Sequence, residues 1–366
     1  MRIPHAPAAV VAAGALTVLG LVGACGASTT SAHTAPAPVG RPARPVTAYV
    51  VGTPPCMGNT VTPINTAADK ALKAIKVGAG TDAIAITPDG RTAYVVSGRP
   101  VTNGTFCGQA PPPADTVTPI STATNTALTP IPVGQYPSAI AITPDGRTAY
   151  VVNSGSGTVT PISTATNTAL TPIPVGQYPS AIAIAPDGRT AYVVNDGSGT
   201  VTPISTATNT AGKAIRFGEA GLVAGADHIA ITPDGRTAYV TNYNSYPGTV
   251  TPISTATNTA LTPIEVTSGA VGIAITPDGR TAYAIGSNTI VPIRTATNTA
   301  GKAITVPGAD LAGLGITPDG KTAYILNEIF EPGYFPGTVI PLRTATNTAG
   351  KPITVESGPT VIAFTP

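Results

Sequence analysis

Residues 139–176 read AIAITPDGRTAYVVNSGSGTVTPISTATNTALTPIPVG, and close copies of this stretch recur along the 366-residue chain. Within it, Ile140 to Thr143 alternates large and small residues, and Thr148 to Val152 and Thr158 to Thr164 are rich in Thr, Val, Tyr and Ile. Ala169 to Val175 closes the unit. Runs of this kind, bounded by turn residues, predict four β-strands, here called a, b, c and d in chain order. Pro144-Asp145-Gly146 predicts a tight a–b turn, proline presetting φ and glycine free to take positive φ. Asn153 to Gly157 predicts a polar b–c loop, and Ala165-Thr166-Asn167 a c–d turn in which asparagine suits the left-handed region.

The string Thr-Pro-Asp-Gly recurs around Asp89, Asp145, Asp234, Asp278 and Asp319, with Ala-Pro-Asp-Gly around Asp187. The strand-b tyrosines are Tyr49, Tyr94, Tyr150, Tyr192, Tyr239, Tyr283 and Tyr324, at intervals of 45, 56, 42, 47, 44 and 41 residues. That is the period of a four-stranded propeller blade. The expected fold is all-β, a seven-bladed β-propeller of four-stranded antiparallel blades. Residues 361–366 read as a strand a, and residues 46–51 as a strand b that lacks one. Joined, they make a composite N-/C-terminal blade that closes the ring and hides both sheet edges. The propeller domain then spans 46–366: blade 1 is 361–366 with 46–77, and the others cover about 82–133, 138–175, 180–217, 227–266, 271–306 and 311–355. Every strand c carries a proline, at Pro63, Pro119, Pro161, Pro203, Pro252, Pro292 and Pro341. An interior proline removes a ladder donor, so a bulge or a shortened b–c ladder is expected in each blade.

Composition narrows the function classes. The chain has 40 Gly and 39 Pro, no Trp, 10% charged and 42% hydrophobic residues, which excludes a long-helix or coiled-coil protein and a charged disordered one. A net charge of +2 without a basic stripe leaves no case for a nucleic-acid partner. His228 is the one propeller histidine, His5 and His33 preceding the domain, so neither a cofactor nor a metal site is expected. The Ala-Gly-Lys strings at Gly212-Lys213 and Gly301-Lys302 lack the other residues of a phosphate loop and read as turns.

The repeats resemble those of the YVTN (YncE-like) β-propeller family. Tyr239-Val240-Thr241-Asn242 carries the motif itself, and Tyr150 to Asn153 and Tyr192 to Asn195 carry YVVN, with the TPDG and TATNT turns in the same pattern. The resemblance covers residues 46–366 and implies an envelope or surface protein with a binding role.

The N-terminal residues read as an export signal. Arg2 precedes the uncharged apolar stretch Ala8 to Leu21, too short and too rich in Ala and Gly for a membrane span, which predicts a lipoprotein-type signal peptide over 1–24. Val22-Gly23-Ala24-Cys25 resembles a bacterial lipobox, which places lipidation on Cys25; cleavage after Ser31-Ala32, giving a soluble secreted protein, is the alternative. Residues 25–45 form a Thr/Ala/Pro-rich tether. The expected location is the outer face of the cell membrane, touched through the lipid anchor only. Cys56 and Cys107, in b–c loops of adjacent blades, are then left to form a disulfide in an oxidising compartment; two unpaired thiols are the alternative.

In such a propeller the b–c and d–a loops share one face and the a–b and c–d turns the other. The loops vary, and variable loops on a rigid scaffold are where binding resides. Counted by loop, that face is net about −7 and the c–d side about +6. The loop face also gathers aromatics, so the candidate binding residues are Tyr136, Tyr178, Tyr243, Tyr246 and Tyr334 with Asp310, Glu328 and Glu331. Packing of the loops on themselves is the competing explanation. The expected partner is an envelope protein, a glycan or a small ligand, bound by a monomer. Catalysis would fall to His228 beside Asp227, with Glu219 and Tyr243 as further candidates, in a hydrolase or lyase acting on a lactone or polysaccharide. A purely structural envelope component is the third reading.

Overall fold

The computed structural model describes residues 47–51, 60–65, 70–98, 101–102, 105–106, 115–218, 228–242, 245, 247–266, 269–307, 309–328 and 337–355. The leader, the tether, both cysteines of the expected disulfide and the closing segment 361–366 lie outside them. Seven antiparallel sheets follow one another along the chain, the architecture of a seven-bladed β-propeller. Blade 3 is representative: a is Pro137–Ile142, b is Thr148–Asn153 and c is Thr158–Ser163. Strand d comes in two pieces, Thr168–Ala169 and Ile173–Pro174, both paired to c.

The split in d corrects the expectation about proline. The b–c ladder is unbroken, with Tyr150 opposite Pro161 and no register shift from Thr148↔Ser163 to Asn153↔Thr158. Pro161 turns its carbonyl toward d, where it accepts from the Leu170 N–H at 2.8 Å. N and C=O of one residue point to the same side of a strand, so the missing donor also faces d and costs the b–c ladder nothing. Between Val159↔Ile173 and Ile162↔Ala169, two residues of c face three of d. The bulge exists, but on the outermost strand, and it repeats in all seven blades.

The a–b turn is built from its own side chains. Thr143 Oγ1 donates to Asp145 Oδ1 at 2.6 Å, the Arg147 N–H donates to the same carboxylate at 3.0 Å, and the Thr148 N–H donates to Thr143 Oγ1 at 3.1 Å. Gly146 completes the turn at φ 72°. These bonds hold the Asp145 carboxyl below the usual range, the Thr143 hydroxyl contributing most. Thr164 Oγ1, in the c–d turn, donates to the Gly146 carbonyl at 2.6 Å, which joins the two turns on one face.

Blades pack face to face. Tyr150, Val152, Val159, Ala139 and Ala141 of blade 3 meet Ile182, Ile184, Ala191, Val193 and Ile204 of blade 4, so the isoleucines of one strand a fill space left by the alanines of the one before. This explains the large-small alternation read in the sequence. A directional bond adds to the packing: the buried Tyr150 donates its hydroxyl to Asn209 Oδ1 in the c–d turn of blade 4 at 2.6 Å. Tyr49, Tyr94, Tyr192, Tyr239 and Tyr283 do the same to Asn125, Asn167, Asn258, Asn298 and Asn347. All six asparagines are left-handed, with φ from 51° to 54°. Burial pushes the hydroxyls of Tyr94, Tyr150 and Tyr239 up to about 12, so they remain donors.

Candidate functional site

Two copies of one hexapeptide stand on the loop face, Gly134-Gln135-Tyr136-Pro137-Ser138-Ala139 before blade 3 and Gly176-Gln177-Tyr178-Pro179-Ser180-Ala181 before blade 4. Each tyrosine has positive φ, 51° at Tyr136 and 47° at Tyr178. For a bulky L-residue, that backbone costs about 1–2 kcal/mol and must be held in place. The b–c loop of the same blade holds it. In blade 3 the Ser154 N–H donates to the Tyr136 carbonyl at 2.9 Å and the Gly155 N–H to the Gln135 carbonyl at 3.0 Å. The Gln135 N–H donates to Ser156 Oγ at 2.6 Å. Blade 4 repeats this through Asp196, Gly197 and Ser198. The rings lie on glycine: a Cβ at Gly155 would collide with the Tyr136 ring, and one at Gly197 would come within 2.6 Å of Tyr178 Cδ2. Tyr136 is half-buried there, whereas Tyr178 is 67% exposed.

Just inside each tyrosine the a–b register shifts, between Pro137 and Ala139 and between Pro179 and Ala181. The residue set apart by each bulge is a serine. Ser180 Oγ donates to Asp196 Oδ1 at 2.8 Å, so this carboxylate is anchored beside Tyr178. Bulges of this kind re-aim side chains next to functional sites. The loop-face half of the blades also holds buried polar atoms without a protein partner among the described residues: Thr81 Oγ1, Ser97 Oγ, Ser138 Oγ, Asn153 Oδ1, His228 Nδ1 and Asn242 Oδ1. No atom of the turn face is in that group. Such leftover capacity is rare in folded proteins and gathers where ligands or ordered water are engaged.

His228 precedes strand a of blade 5, Ile229–Ile231, in the place of Ala139 and Ala181. Its backbone is paired with Thr241. The residue keeps part of its surface, yet Nδ1 is sealed. Burial pushes the imidazole down to about 4, so it is neutral at physiological pH. A base this weak has little affinity for a proton at pH 7.

Of the residues expected at the site, Tyr136 and Tyr178 are brought to one face on adjacent blades. Asp310 begins strand a of blade 7 and is exposed. Glu328 ends strand b of the same blade opposite Asp310, its side chain outside the described residues. Glu219, Asp227, Tyr243, Tyr246, Glu331, Tyr334, Cys25, Cys56 and Cys107 lie outside them too. Sequence reasoning passed over Ser138, Ser180 and Asn153 as site residues and counted Asp196 only among the charges of the loop face. The repeated hexapeptide was the available signal, because two identical copies in otherwise variable loops mark a constrained geometry. Among the described residues no three His, Cys, Asp or Glu side chains gather in a metal-sized group.

Seven consecutive sheets, with inner strands a side by side, decide the architecture. The chain is a seven-bladed propeller. A family model described as "Lactonase, 7-bladed beta-propeller" matches residues 59–214, blades 1 to 4. A putative 6-phosphogluconolactonase from Bacteroides uniformis superposes with a TM-score of 0.62 at 17% identity, covering 85% of this chain and 96% of that one. Kuenenia stuttgartiensis hydrazine synthase superposes at 0.56 with 24% identity, covering 70% of this chain and 75% of that one. At those identities the likeness is one of fold. No curated protein matches the chain.

Proposed function

We propose that this chain is an exported YVTN-type propeller whose loop face binds a carbohydrate-class ligand, Tyr136 and Tyr178 serving as stacking platforms. The observation that carries the reading is Tyr178: an aromatic residue before proline, at φ 47°, pinned on Gly197 and 67% exposed. Strain that survives at an exposed residue points to a use for the exposed group. Ring faces pack on the C–H faces of sugars, and the carboxylates of Asp196 and Asp310 are acceptors for ligand hydroxyls. Tyr243, Tyr246, Tyr334, Glu328 and Glu331 would complete the surface.

The test is Tyr178→Gly, assayed by titration against envelope glycans and peptidoglycan fragments. Glycine relieves the backbone strain, so stability should hold or rise by about 1 kcal/mol while binding falls by about tenfold or more. A variant that binds as the wild type does would refute the reading, and a wild type that binds none of these ligands would favour a structural envelope component.

A second reading is hydrolysis of a lactone, supported by the family model over 59–214. His228 would activate water, with Asp227, Glu219 and Tyr243 as its neighbours in sequence or loop. The low basicity of His228 ranks this reading second. Lactone turnover that disappears in His228→Asn would reverse the order. Export and lipidation at Cys25 belong to the proposal and are read by palmitate labelling of the wild type against Cys25→Ser.

A further inference from the structure

We propose that the outer rim of blades 6, 7 and 1 docks on an anionic lipid bilayer, seating the propeller on the membrane with its loop face outward. The proposal rests on the anchored reading above and adds a protein surface to the lipid.

The rim is formed by strands c and d and the turn between them. In blades 2, 3 and 5 these segments, 116–133, 158–175 and 249–266, contain no cation. In blade 6 they carry Arg294 and Lys302, in blade 7 Arg343 and Lys351, in blade 1 Lys73 and Lys76, and in blade 4, away from these three, Lys213 and Arg216, all exposed. Arg294 and Arg343 stand where blades 2 to 5 have Ser121, Ser163, Ser205 and Ser254; Lys302 and Lys351 stand in the strand-d bulge where blades 2, 3 and 5 have Thr129, Thr171 and Thr262. None of these is among the ion pairs of the described residues, which tie Arg91, Arg147, Arg236, Arg280 and Lys321 to aspartates of the a–b turns. The described c and d segments of blades 6, 7 and 1 hold no carboxylate. Blades 6 and 7 are neighbours through Tyr283 and Asn347, and a ring of seven sets blade 1 beside blade 7.

Three further observations select a membrane surface over a soluble polyanion. Thr47, the first described residue, pairs with Asn65 at the turn-face end of blade 1, so the chain leading to the expected lipid leaves from this side of the molecule. A cleft of about 640 Å³ opens between the edge of blade 6 and the c–d turn of blade 7, bordered by Arg280, Arg294 and Asn347, a seat of headgroup size. The carboxylates of Asp196, Glu265 and Asp310 lie at the opposite, loop-face end and turn the acidic side away from a negative surface.

The test uses the full chain carrying Cys25→Ser, so that no lipid contributes, in flotation with phosphatidylcholine vesicles and with phosphatidylcholine–phosphatidylglycerol vesicles at low salt. Phosphatidylglycerol should be required for binding, and salt should weaken it. Each cation at an anionic surface is worth about fivefold in partitioning, so the combined variant Arg294→Ser, Lys302→Thr, Arg343→Ser and Lys351→Thr should lose several hundredfold. These replacements are the protein's own residues at the same positions in other blades, which preserves folding. Lys213→Thr, on distant blade 4, should lose less than about twofold. Equal binding to both vesicles, a combined variant that floats like its parent, or capture by polyglutamate without capture by vesicles would each overturn the proposal. Vesicle binding that persists where palmitate labelling shows no lipid on Cys25 would refute the anchor alone and leave the rim standing.

Discussion

Removing one tyrosine hydroxyl tests whether the propeller is held by packing alone or also by an interlock between blades. Tyr150→Phe keeps the buried ring and deletes the 2.6 Å bond to Asn209. Asn209 is half-buried, so water can replace the lost donor and the cost is that of an ordinary hydrogen bond, about 1 kcal/mol. Asn209→Gly tolerates the positive φ, loses the same bond and adds unfolded-state entropy, for a total of about 1.5 kcal/mol. If the two groups act through each other, the double variant costs about 1.5 kcal/mol rather than 2.5, a coupling of about 1 kcal/mol. Urea unfolding at equilibrium reads these values, provided the slope is unchanged among the four proteins. Additive losses would refute the interlock and assign the tyrosine's role to packing. Six such bonds amount to about 6 kcal/mol, a large fraction of the 5–15 kcal/mol that stabilises a typical domain.

Three other outcomes follow from the geometry. Thr143→Ala should raise the Asp145 carboxyl toward its ordinary range in an NMR titration; because a depressed acid stabilises the fold above the unfolded-state pKa and loses that contribution as pH falls through the folded one, the variant should also lose less stability on acidification. His228 is held neutral with its pKa lowered from 6.5 to about 4, so the unfolded chain binds the extra proton in that window; wild-type stability should fall as pH drops through it, and His228→Gln should flatten the slope in thermal melts. Gly197→Ala should displace the Tyr178 ring and weaken glycan binding about as much as Tyr178→Gly, with a smaller effect if the ring can pivot; unchanged binding would show that the ring's seat is irrelevant.

The fold was legible because one unit repeats with its turn chemistry intact. Thr-Pro-Asp-Gly and the left-handed asparagine each name a backbone conformation without reference to the rest of the chain. Strand-c proline was misread for a geometric reason: sequence shows that a donor is missing, but only register shows which neighbour that donor would have faced. Tyr150 and Asn209 are 59 residues apart, and each looked local, one a strand residue and the other a turn former. Their joint recurrence in six blades was the visible trace of their contact. At the loop face, aromatic content was readable, whereas the left-handed backbone of Tyr136 and Tyr178 depends on hydrogen bonds from loops that follow them in sequence. Charge could be counted by face, but its concentration in consecutive blades emerged only with the ring order.

In six blades the tyrosine grips the turn of the following one, so the contact between repeats is head-to-tail. Contacts of this type have no natural end: they terminate only when rotation brings the last unit back to the first. A chain missing a blade would therefore present an unsatisfied tyrosine at one end and a receptive turn at the other. Such ends are complementary between molecules, and truncated propellers of this design should join into chains or larger closed rings by exchanging blades rather than remain open monomers. Closure, in that light, is also what would satisfy both ends within one molecule.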